Sequence, residues 1–97
     1  MSALMIATII VKNPEKFQEY LTKSKELAGR YGAELLARGK VGRVLTDHDK
    51  DHGLVVIARF PSAEKINQWF DSKEYQSLVS LRNEGTDMKM INYEVLS

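Results

Sequence analysis

The sequence predicts one α+β domain spanning residues 1–97, with β-α-β-β-α-β order, a four-stranded antiparallel sheet and two helices on one face. Three observations carry this. Ninety-seven residues fill one domain and leave no room for a second. Residues 4–11 and 54–60 are rich in β-branched side chains and apolar at both parities, the mark of strands covered on both faces. Each is followed by an amphipathic stretch that opens on a helix-start signal.

The elements follow in order. After the first strand, Asn13-Pro14-Glu15 supplies an N-cap, a proline at the first helical position and an acid in the first turn. Phe17, Tyr20, Leu21, Ser24, Ala28 and Tyr31 then share one helical stripe, with Lys16, Glu19, Lys23 and Glu26 opposite. Gly32 stands where a left-handed C-cap is wanted, closing a helix of about four to five turns. Residues 33–46 read as a long second strand with a bulge near Gly39 and Gly42. Residues 47–53 read as a polar, solvated connection. The third strand, 54–60, ends at Pro61-Ser62, which caps the next helix and sets up a staple between Pro61 and Ile66. Ala63, Ile66, Trp69 and Phe70 form its buried stripe. Asp71-Ser72 marks a break and a fresh cap, and Tyr75, Leu78, Val79 and Arg82 share the face that follows. Residues 83–86 are expected to turn the chain into a last strand over 88–96.

Right-handed crossovers in two βαβ halves place the first and third strands at the centre and the second and fourth at the edges. The polar and charged residues agree: Arg38, Lys40, Arg43, Lys89, Asn92 and Glu94 fall on the expected edges. Two helices cover only one face of such a sheet. Yet Met5, Ala7, Ile9 and Val11 lie on one face of the first strand, and Leu4, Ile6 and Ile10 on the other. Val55 and Ile57 likewise oppose Leu54, Val56 and Phe60. A second copy of the same sheet is the simplest cover for the helix-free face, so a homodimer is expected.

The chain resembles the domain of unknown function 1330 family, of the dimeric α/β-barrel superfamily. The likeness rests on Leu36-Ala37-Arg38-Gly39, on the run from Val55 to Ser62, on Trp69-Phe70-Asp71-Ser72-Lys73-Glu74-Tyr75-Gln76, and on Leu81-Arg82. It departs from the family at Lys40, where a second glycine is frequent, and in a shorter connection before the third strand. The resemblance implies a ferredoxin-like fold that pairs into a dimeric α/β barrel. It implies no reaction, since the family has no agreed one.

Composition narrows the chemistry. Fourteen basic and thirteen acidic residues give a net charge of +1, too little to steer nucleic acid or an anionic membrane. RNA-recognition modules share this element order, but they expose stacking aromatics on the central strands, where this chain has only Phe60. No nucleic-acid or membrane partner is expected. Cysteine is absent, which removes thiolate chemistry and fits a cytoplasmic location. Asp47, Asp49 and Asp51 alternate as in a calcium loop, but His52 occupies the glycine position and Ala58 the place of the closing glutamate. With only His48 and His52 added, no metal site is expected, and no cofactor motif is present.

What remains is polar groups on otherwise buried elements: Arg38 and Arg59 on strands, and Trp69, Ser72, Tyr75 and Arg82 on the second helical region. A cleft between sheet and helices lined by these six is the expected ligand site, with an arginine holding an anion. Internal pairing of the same groups, with Ser72 as a cap and Tyr75 as core, is the competing structural reading. The expected function is that of a dimer binding a small, partly apolar, anionic metabolite. The alternatives are a cofactor-independent monooxygenase or isomerase, which needs only an apolar pocket and a donor for an enolate, and a structural or regulatory interaction module.

Overall fold

A computed structural model describes residues 2–47 and 51–96. The chain runs through β1 (Ala3–Val11), α1 (Pro14–Arg30), β2 (Glu34–Lys40), β3 (Leu54–Phe60), α2 (Ala63–Asp71), α3 (Lys73–Gln76), α4 (Val79–Gly85) and β4 (Thr86–Glu94). The four strands form one antiparallel sheet in the order β2-β3-β1-β4, so the two most apolar strands are central as expected. Among the described residues no helix is long and apolar enough to cross a membrane.

The helix ends are built by the residues that announce them. Asn13 Oδ1 accepts from the backbone N–H groups of Glu15 and Lys16, at 3.1 and 3.2 Å. Ser62 Oγ accepts from Lys65 N at 3.2 Å, and Ser72 Oγ from Tyr75 N at 3.1 Å. Gly32 leaves α1 at φ +84°, and a β-carbon there would meet Pro61 Cγ at 2.7 Å. Conformation and packing therefore both call for glycine.

The sheet has two unlike faces. Ala3, Met5, Ala7 and Ile9 of β1, with Ala58 and Phe60 of β3, are buried under the helices. Full burial of side chains such as Ile9 and Phe60 stabilises by about 1.5–3 kcal/mol each. On the opposite face Ile57, Ile6 and Ile91 stand side by side across β3, β1 and β4, with Leu4 beside Tyr93. No helix covers them, and Ile91 and Tyr93 are about half exposed.

Four expectations need correction. The second strand ends at Lys40, not near residue 46, because its partner β3 begins at Leu54, opposite Lys40. Its bulge falls between Leu35 and Ala37, upstream of both glycines; Gly39 stays in register opposite Val55. Residues 83–85 do not turn: α4 runs through Gly85 and β4 starts at once at Thr86. His52 is not in a solvated connection; it is 4% exposed, with Nε2 3.5 Å from Asp87 Oδ1. The companion His48 and Asp49 lie outside the described residues.

Gly85 has a specific task. Its carbonyl accepts from Lys12 N and Asn13 N at 2.8 and 3.1 Å, and a β-carbon on it would lie 2.8 Å from Phe17 N. The end of α4 thus rests directly on the start of α1, reinforced by the Lys16–Glu84 ion pair. Gly85→Ala should destabilise by roughly 1–3 kcal/mol, because the obstacle is backbone and cannot rotate away. Gly29→Ala, whose β-carbon meets nothing within 4 Å on α1, should instead stabilise by up to about 1 kcal/mol. Urea denaturation of the two variants checks the opposite signs.

Candidate functional site

α1 approaches α4 more closely than it approaches the sheet, whereas α2 lies directly on the strands. The gap beneath α1 is a cavity of about 660 Å³. Its floor is the buried sheet face, with Met5, Ala7, Val56, Ala58 and Phe60 joined by Met88 and Met90 of β4. Its roof is the inner side of α1, with Tyr20, Leu21, Ser24 and Ala28, and Trp69 of α2 closes one wall. The lining residues that are exposed, among them Leu35 and Arg38 on β2 and Thr22, Lys25 and Glu26 on α1, mark the mouth between α1 and the sheet edge.

The walls are set by an aromatic group. Trp69 packs against Phe60 with ring centroids 5.4 Å apart, and against Tyr75 at 4.6 Å. Phe70 lies 4.8 Å from Tyr75. Ser72 locks this arrangement at the α2–α3 break, donating to Trp69 O at 2.7 Å while capping Tyr75 N. Tyr75 is fully buried, and its hydroxyl lies 2.7 Å from that of Tyr20. Arg82 Nη1 donates to the Tyr75 oxygen at 3.1 Å, so a chain Arg82–Tyr75–Tyr20 ends at the cavity roof. The Trp69 Nε1 hydrogen has no acceptor among the described residues.

Burial pushes the Tyr20 phenol far above its ordinary range, with Tyr75 adding to the rise; Arg82 and Ser24 oppose it without cancelling it. Tyr20 is therefore neutral, able to donate or to accept a hydrogen bond. At the mouth, Arg38 has no carboxylate partner among the described residues, while Glu26 is already paired with Arg30 at 3.2 Å.

The six expected site residues separate into three groups. Arg38 and Trp69 line the cavity. Ser72, Tyr75 and Arg82 stand behind its wall and hold it. Arg59 is not there: it sits on the helix-free face, exposed, opposite Glu34 on one side and Leu4 on the other. The strand alternation explains this, since Arg59 shares the parity of Val55 and Ile57. Tyr20 and Ser24, on the core-facing stripe of α1, are buried as expected and also line the cavity.

The strand order, the helices on one face and the cleft between them define a ferredoxin-like α+β protein. The chain belongs to the family described as a domain of unknown function, DUF1330, whose model matches residues 2–96. No curated protein matches the sequence. Among solved structures it is similar to a protein of unknown function from Rhodopseudomonas palustris, with 18% identity and a TM-score of 0.80 over 99% of this chain and 83% of that one. It is also similar to a dimeric ferredoxin-like protein of unknown function from Thermobifida fusca (14%, TM-score 0.60, 98% and 92%). A third is a cofactor-independent oxygenase from Streptomyces nogalater (10%, TM-score 0.70, 99% and 94%). At these identities the likenesses concern the fold.

Because Tyr20 binds its proton more tightly folded than unfolded, it favours the folded state wherever the unfolded phenol has lost that proton least. The contribution is complete below the unfolded value of about 10 and declines as the pH climbs beyond it. Stability measured by urea between about pH 9 and pH 11 should therefore fall, and the fall should be shallower in Tyr20→Phe. Identical slopes in both proteins contradict the assignment.

Proposed function

We propose that this protein binds a small, partly apolar, anionic molecule in the cavity beneath α1, and does so as a homodimer in the cytoplasm. The cavity carries the reading. Its volume of about 660 Å³ lies inside the range typical of small-molecule sites, about 300–1,000 Å³. Methionine, alanine and aromatic side chains offer desolvation, and the flexible methionines Met5, Met88 and Met90 can adapt to a guest. Arg38 at the mouth offers a guanidinium fork to a carboxylate.

The dimer is supported by the isoleucine row on the helix-free face. Leu4, Ile6, Ile57, Ile91 and Tyr93 are adjacent across three strands, and an apolar face of this kind on a small domain favours a second copy related by a two-fold axis.

Two outcomes are expected. Sedimentation should report a species of twice the 11.0 kDa chain mass, and Ile91→Asp, placed on an edge strand at a half-exposed position, should reduce it to the monomer without unfolding it. A wild-type monomer contradicts the pairing. In a thermal-shift experiment 2-naphthoate should raise Tm, and Arg38→Met should weaken that ligand by about 1 kcal/mol or somewhat more, because the guanidinium is exposed. No shift in the wild type, or an equal shift in the variant, contradicts the site.

A further inference from the structure

We propose that the inner end of the cavity is a carbonyl site, where Tyr20 donates its phenol hydrogen to a ketone or quinone oxygen of the bound molecule. Tyr75 and Arg82 act as positioning residues behind it. The proposal rests on the cavity reading above and names the chemistry of the guest.

Hydrogen-bond direction carries it. A guanidinium has no acceptor, so Arg82 Nη1, at 3.1 Å, must take a lone pair of the Tyr75 oxygen. The Tyr75 hydrogen then has two acceptors within reach, the Tyr20 oxygen at 2.7 Å and the weak Met90 sulfur at 3.9 Å. The 2.7 Å contact can run either way. With Tyr20 donating, the Tyr75 hydrogen goes to the sulfur; with Tyr75 donating, the Tyr20 hydrogen is free. A guest acceptor beside Tyr20 selects the second, which exchanges the weak sulfur contact for a bond to oxygen. In that direction Tyr20 does not donate along the contact, and its own hydrogen is left for the cavity it lines. Ser24, on the same roof, is the phenol's other hydroxyl neighbour, and it lowers the Tyr20 pKa as a donor to the phenol oxygen does.

A second, independent observation points the same way. Trp69, 2% exposed and in the cavity wall, keeps an Nε1 hydrogen with no acceptor among the described residues. Two neutral donors on a buried apolar wall suit an uncharged acceptor. A carboxylate would have to leave water entirely to reach them, because the Arg82 guanidinium stands behind Tyr75 and Arg38 stands at the mouth. The guest is thus a keto acid with its carbonyl inward and its carboxylate outward.

The test uses the full chain and two probes of matched shape, 6-acetyl-2-naphthoate and 6-isopropyl-2-naphthoate, titrated by calorimetry. Both should bind, and Arg38→Met should weaken both alike. The ketone should bind about ten-fold more tightly, as one buried hydrogen bond allows. Tyr20→Phe should abolish that preference while leaving the isopropyl probe within about two-fold, and Tyr75→Phe, which keeps the Tyr20 phenol but frees its direction, should reduce it. In the wild type alone, the infrared carbonyl stretch of the bound ketone should lie below its position in an apolar solvent. Equal binding of the two probes, a preference that survives Tyr20→Phe, or an unshifted carbonyl band overturns the carbonyl site and leaves the cavity reading in place. Failure of both probes to bind overturns the two together.

Discussion

A 2.7 Å contact between two phenol oxygens, Tyr20 on α1 and Tyr75 on α3, fixes where the first helix stands above the sheet. The other anchor of α1 is at its start, where Gly85 accepts from Lys12 and Asn13 and lies against the backbone of Phe17. Both anchors tie α1 to the α3–α4 region and not to the strands beneath it. Between these anchors Phe17, Tyr20 and Leu27 of α1 join the core with the strands, and the space left beside them is the cavity. The polar link survives burial because each oxygen has a partner, and Arg82 completes the chain from the outer side. Tyr75 is the link the other two share, and losing its hydroxyl would take that partner from the buried Tyr20 phenol and from Arg82 together.

The frame of this arrangement is legible in the sequence. Two-faced apolarity identified β1 and β3 as central, and Asn13, Ser62 and Ser72 announced three helix starts that the structure caps as expected. The failures share a cause, which is that each depends on a partner distant along the chain. The end of β2 is set by where β3 begins, so no signal in residues 41–46 marks it. Gly85 looks like a turn glycine locally, but it is there to let α1 approach. Tyr20 fits a core stripe equally well whether it meets packed side chains or open space, and its hydroxyl partner is 55 residues away. Arg59 shares the parity of Val55 and Ile57, but which face of β3 the helices cover and the bulge that sets the register of Arg38 both depend on partners elsewhere in the chain.

Apart from Leu96, the exposed large apolar side chains among the described residues fall into two sets. Ile91 and Tyr93 belong to the helix-free face, while Leu35, Leu36, Val41, Val44 and Leu45 lie along β2 and the stretch after it. Leu35 also borders the cavity mouth. In the proposed dimer, burying the first set brings two sheets together, and any cover over the second also narrows the entrance beside Arg38. Tyr20 and Trp69 at the inner end and Arg38 at the mouth all belong to one chain.

The most direct test is a high-resolution crystal structure of the protein grown with 6-acetyl-2-naphthoate. The expected result is density for the aromatic body between α1 and the sheet, with the ketone oxygen within hydrogen-bond distance of Tyr20 Oη and the carboxylate toward Arg38. A space beneath α1 filled by the side chains of Met5, Met88 and Met90, with no room for a guest, contradicts it.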